Sequence, residues 1–123
     1  MIINANAHDP VGIRMDLVYS YSPNGTYSNK VEVDLRSCRF VCISFMTDRV
    51  DQLFCTDIMP VDSSGPTSNT ITYYKSKYKY YRGYTIEPDG ITFGDSGRSN
   101  ASSGEIQDTD QLYMIPYRIY TIR

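Results

Sequence analysis

The stretch Tyr84-Thr85-Ile86-Glu87-Pro88-Asp89-Gly90-Ile91-Thr92-Phe93 constrains the fold more than any other part of this chain. Two short runs of β-branched and aromatic residues flank Glu87-Pro88-Asp89-Gly90. Proline presets φ at the first turn position and Asp89 tolerates the second. Gly90 is free to take the left-handed conformation that closes a hairpin with a bulge. The stretch therefore predicts a β-hairpin and, with it, an antiparallel all-β class.

The rest of the chain extends this pattern. Residues 1–12 read as an N-terminal arm, and 13–123 as one domain. From Ile13 the residues Met15, Leu17, Tyr19 and Tyr21 alternate with Arg14, Asp16 and Ser20, as in a half-buried strand whose apolar side faces the core. Ser22-Pro23-Asn24-Gly25 is a turn signal. Lys30-Val31-Glu32-Val33-Asp34-Leu35 repeats the two-residue period, with Val31, Val33 and Leu35 inward. Arg39 to Met46 is apolar on both faces, the composition of a strand covered on both sides. Asp48 to Val61 reads as a strand with an irregular exit at Pro60, and 62–69 as a loop. Thr70 to Gly83 reads as one strand, and Gly94 to Gln111, with almost nothing apolar, as a long loop. Leu112 to Arg123 reads as a last strand in which Pro116 marks an edge or a bulge. The expected architecture is an antiparallel β-sandwich or jelly roll of about seven to eight strands.

Composition narrows the function. A formal net charge of −2 argues against bulk-charge binding of nucleic acid. No run approaches the roughly 18 apolar residues of a membrane helix, so no membrane insertion is expected, and Met1 to Asn6 lacks the basic start of a signal peptide. Cys38, Cys42 and Cys55 are an odd number. In an extended chain the first two would lie roughly 13 Å apart, too far for a disulfide, so small buried thiols are expected.

Catalytic chemistry finds little to work with. The sole histidine, His8, lies in the arm, and no cofactor or metal motif is present, so the expectation is a non-enzyme with neither. Asp108 with Asp110, or Glu87 with Asp89, are carboxylate pairs without the facing geometry of a glycosidase. Asp95, Asp108 and Asp110 supply oxygen ligands without EF-hand order. Asn24-Gly25-Thr26 and Asn100-Ala101-Ser102 match the glycosylation pattern, but read as turn chemistry.

The sharpest candidate is the tyrosine- and lysine-rich run. Read as one strand, it places Lys75, Lys77 and Lys79 on one face, and Tyr74, Tyr78 and Tyr80 on the other. Tyrosines give large, rigid contact area with a polar tip, which suits protein or glycan contacts. The plainer alternative puts the tyrosines in the core or at a subunit interface, with the lysines in solvent.

The segments Gly90-Ile91-Thr92-Phe93-Gly94-Asp95 and Met114-Ile115-Pro116-Tyr117-Arg118-Ile119-Tyr120-Thr121-Ile122-Arg123 resemble the closing part of a group of small phage and prophage proteins of Gram-positive hosts. Thr121 stands where that group has glycine. The resemblance covers roughly the last 40 residues, and it brings no functional residues with it. It implies a virion component made in the host cytoplasm, such as a head-fibre, tail or baseplate β-sandwich, often a homotrimer that contacts other virion proteins. The expected function is thus a virion structural or attachment protein, with host glycan as a further contact. A free-standing carbohydrate-binding module is the alternative, and a small polysaccharide-degrading enzyme a weaker one.

Overall fold

The computed structural model describes residues 13–22, 29–48, 53–62, 64–109 and 113–123. The N-terminal arm with His8, the Pro23-Asn24-Gly25 turn with its glycosylation pattern, and Asp110 lie outside the described residues.

The described residues form nine strands in two antiparallel sheets, a β-sandwich. The four-stranded sheet runs β1 (Met15–Ser20), β9 (Ile115–Ile122), β3 (Phe40–Met46), β4 (Phe54–Pro60). The other sheet runs β2 (Lys30–Glu32), β7 (Gly90–Asn100), β6 (Tyr78–Glu87), β5 (Thr67–Lys75), and β8 (Ile106–Asp108) also pairs with β7.

The anchor hairpin forms, with Glu87 opposite Gly90 across Pro88-Asp89, but the bulge and left-handed glycine expected at its end are not there. Glycine is needed there for a different reason than turn geometry alone. Gly90 has φ +156°, and a Cβ on it would lie 2.4 Å from the carbonyl oxygen of Val31 on β2. Close approach of the neighbouring strand therefore excludes any side chain. Beyond β2, Val33 and Leu35 donate backbone hydrogen bonds to the carbonyls of Asp89 and Pro88. That tether carries Leu35 into the core beside Val31.

Alternation supplies the core. Val41, Ile43, Phe45 and Ile119 face inward from one sheet, and Val31, Ile71, Tyr84, Ile86, Ile91 and Phe93 from the other. Phe45 bridges the layers, its ring centroid 5.8 Å from Tyr84 and 6.1 Å from Phe93. Asp57 on β4 accepts hydrogen bonds from the Tyr84 hydroxyl at 2.5 Å and from Asn69 Nδ2 at 2.8 Å, joining the two sheets along one side.

This junction makes stability pH-dependent. Burial, and then the Asp57 carboxylate accepting its proton, push the Tyr84 phenol well above its ordinary range. A raised folded-state value means the contribution is whole below about pH 10, where the unfolded phenol titrates, and declines above it. Denaturant midpoints should therefore fall between pH 9.5 and 11, and less steeply in Tyr84→Phe, on the order of one proton's linkage. Parallel slopes for the two proteins would remove Tyr84 as the cause.

Pro116 sits at a bulge, as expected: Ser44 pairs with Arg118 and Phe45 with Pro116, which leaves Tyr117 as the extra residue. The strand itself is interior, held between β1 and β3.

Four other expectations are corrected. Thr70 to Gly83 is two strands, because the chain reverses at Ser76-Lys77, with Ser76 at φ +58° and Lys75 opposite Tyr78. Gly94 to Gln111 is largely strand, since β7 runs to Asn100 and β8 follows a short turn. A register shift between Leu17 and Tyr19 turns the start of β1 over, so Ile13, Met15 and Leu17 point to solvent while Val18 and Tyr19 pack on the core. Finally, β3 is central in its sheet, but only its Val41, Ile43 and Phe45 side is covered by the second layer.

Candidate functional site

The reversal at Ser76-Lys77 redistributes the tyrosine- and lysine-rich residues. Tyr74 pairs with Lys79 on the outer side of the sheet, and Lys75 pairs with Tyr78 on the inner side. Lys77 lies in the turn. The three lysines therefore do not share a face, and neither do the three tyrosines.

Tyr80 is 5% exposed and meets Tyr113 edge-on at 5.3 Å. The Arg98 guanidinium lies 4.3 Å from the Tyr78 ring centroid and forms an ion pair with Asp108 at 2.8 Å. Tyr78 and Tyr80 thus build the end of the core. Of the three tyrosines only Tyr74, 61% exposed, faces solvent.

Of the carboxylate candidates, Asp89 pairs with Lys30 at 3.5 Å. Asp108 is neutralised by Arg98. Asn100 Oδ1 accepts backbone hydrogen bonds from Ser102 and Ser103, which is the turn role expected of that acceptor pattern. Among the described residues no cluster of three or more His, Cys, Asp or Glu side chains is placed to hold a metal ion. Cys38, Cys42 and Cys55 are free thiols. Burial, with Asp57 nearby, pushes the Cys55 thiol up to about 11, far from reactive thiolate chemistry.

Two outer surfaces remain, one on each sheet. The outer face of the four-stranded sheet is apolar. One cross-strand row reads Met15, Ile122, Phe40, Pro60, and the next reads Leu17, Tyr120, Cys42, Ile58. Leu17 is 52% and Ile58 57% exposed. Phe54 meets Tyr117 at 4.9 Å between ring centroids with the planes tilted by 57°, and the Arg118 guanidinium sits over the same Tyr117 ring. Beyond the second row lies a shallow depression of about 420 Å³, lined by Cys42, Ser44, Phe54, Thr56, Tyr117, Arg118 and Tyr120.

The outer face of the second sheet is polar. Thr70, Thr72, Lys79, Tyr81, Ser99, Gly104 and Ile106 surround a groove of about 320 Å³. A Cβ on Gly97 would fall 2.5 Å from the Tyr81 hydroxyl and 2.9 Å from its Cζ. Tyr81 therefore lies flat across Gly97, directly opposite it in the register. An aromatic laid over a cross-strand glycine covers bare backbone, a structural role in its own right.

No family model, no curated protein and no solved structure matches this chain.

Sequence reasoning missed the polar groove and the β1 part of the apolar face for identifiable reasons. The apolar face depends on the register shift in β1, which alternation alone does not encode. The groove is built from threonines, a serine and glycines in segments that carry no aromatic signal of their own. Its one legible mark is Tyr81, a tyrosine of the same run that falls on the opposite parity from Tyr80.

Proposed function

We propose that this protein is a non-enzymatic structural domain that works by protein–protein contact, with a second copy of the chain seated on the outer face of the four-stranded sheet. The observation that carries this reading is the pair of apolar rows Met15–Ile122–Phe40–Pro60 and Leu17–Tyr120–Cys42–Ile58, whose Met15, Leu17, Phe40 and Ile58 are open to solvent on a sheet whose other side is the core. A monomer rarely leaves so continuous an apolar patch in water, because each square ångström costs about 25 cal/mol.

The extent of the face suits self-association. Four strands at about 4.8 Å spacing and about seven residues at ~3.4 Å each give a footprint near 450 Å² per copy before side-chain relief. Pairing two such faces removes on the order of 1,000 Å² from water, the lower bound for a specific interface. Arg118 over Tyr117 is the principal charge on the face, so little charge need be desolvated.

The resemblance of the chain end to small phage proteins gives this contact a setting. Its motif forms β9, whose Tyr117, Tyr120 and Ile122 supply the middle of the apolar face. The protein is then a virion component, a head-fibre, tail or baseplate piece, assembled in the host cytoplasm as a homo-oligomer: face-on-face pairing closes as a dimer, whereas the trimer that the resemblance implies would set this face against a different surface of the next copy.

Light scattering tests the reading. The wild-type protein should run at a multiple of 14.1 kDa, and the multiple separates dimer from trimer. Leu17→Lys with Ile58→Lys should yield a folded monomer, since both side chains already reach solvent. A wild-type protein that stays monomeric at 100 μM would overturn self-association and favour a free-standing binding module.

A further inference from the structure

We infer that the groove on the outer face of the five-stranded sheet is a binding site for a short saccharide, with Tyr81 as its platform and Ser99 as its central hydrogen-bonding group.

Several features of this groove point to a ligand. Ser99 lines it and is only 3% exposed, yet its Oγ has no hydrogen-bond partner among the described residues. A buried hydroxyl left unpaired costs about 1–3 kcal/mol, and native structures seldom retain one without cause. The oxygen is closed off from solvent as it stands, so a ligand hydroxyl would satisfy it after a turn about the Ser99 Cα–Cβ bond brings it into the groove. The hydroxyls of Thr70 and Thr72, both on exposed residues of β5, line the same groove. Opposite Ser99 across the strand pair lies Lys79, which in turn faces Tyr74.

The floor of the groove is shaped for a flat ring. Gly83 opposes Thr70 and Gly97 opposes Tyr81, so bare backbone lies in two adjacent strands. Tyr81 fills the second of these gaps lengthwise, along the sheet rather than away from it. Ile106, exposed on β8, forms an apolar side wall next to Ser99. An aromatic plane, an apolar wall and a set of neutral hydroxyls together match a sugar, which has C–H faces and hydroxyl edges.

Other ligand classes fit less well. An apolar ligand would seal off the Ser99, Thr70 and Thr72 hydroxyls without pairing them. A nucleic-acid strand needs a track of cations, and the groove lining holds only Lys79. Lys79 instead favours a saccharide that carries a carboxylate or phosphate group. The volume of about 320 Å³ sits at the small end of ligand sites, consistent with a short saccharide.

This inference does not depend on self-association, because the groove lies on the opposite sheet from the apolar face. It can therefore fail or hold while the oligomer reading does the other.

The test is a glycan array of neutral, carboxylate-bearing and phosphate-bearing oligosaccharides, probed with the full chain, followed by calorimetric titration of the best hit. Ser99→Ala should weaken that hit about two- to tenfold, the worth of one hydrogen bond, while leaving the thermal midpoint unchanged or raised. Thr72→Arg, at an exposed position, should block the groove and abolish the signal without unfolding the protein. A folded wild-type protein with no array signal overturns the inference. So does a hit whose affinity is the same in wild type, Ser99→Ala and Thr72→Arg, since that ligand would bind elsewhere.

Discussion

Arg82→Met should lower the unfolding free energy by about 3–5 kcal/mol, the range for stranding buried partners of a charged group. Arg82 is fully buried, and its guanidinium donates to three backbone carbonyls. Nε reaches the Met114 carbonyl at 2.7 Å, and the two terminal nitrogens reach Gly94 and Tyr113 at 2.9 Å each. These carbonyls belong to irregular segments: the bulge where β6 and β7 lose register, and the turn that enters β9 with Met114 at φ +49°. Methionine retains most of the volume and none of the donors, so the loss reads polar satisfaction more than packing. Urea denaturation gives the number directly, and a fall in thermal midpoint of more than 10 °C is expected for a domain of this size. A cost below about 1 kcal/mol would show that water replaces the guanidinium at these carbonyls.

The second large effect is expected at Phe45. Its ring is fully buried between the layers, against Tyr84 and Phe93. Phe45→Ala should cost about 3–5 kcal/mol from lost burial and the cavity left behind. Phe45→Leu, which keeps most of the volume, should cost a fraction of that. Equilibrium unfolding of the pair distinguishes packing from a general loss of order, because the denaturant slope should stay constant while the midpoint moves. Equal costs for alanine and leucine would mean the interlayer contact depends on the aromatic ring itself.

Much of this fold is legible residue by residue. Pro88-Asp89-Gly90 gives its hairpin, Val31 and Leu35 turn inward as their spacing requires, and Pro116 marks the bulge in β9. Where the reading failed, a local rule met a stronger competitor. Ser76 takes a positive φ without being glycine or asparagine, so the Lys-Tyr alternation masked the turn beside it. In β7, Gly94, Ser96, Gly97 and Ser99 lack any apolar period, because Arg82 and Tyr81 of the neighbouring strand supply the side chains on either face. The inner and outer positions of such a strand are set by its partner, and a single-strand pattern does not record them. The candidate tyrosines suffered the same way: once the chain reverses, Tyr78 and Tyr80 belong to the core and Tyr81 to the surface.

The place of β9 has a consequence for how the polypeptide matures. It lies between β1 and β3, so Met15 must wait for Ile122 before its ladder can close. During synthesis β1 emerges with no neighbour to join it and β3 finds only β4, so one edge of each stays open until β9 leaves the ribosome. Pairing across so much sequence is slow, which makes the nascent chain a natural client for holding chaperones.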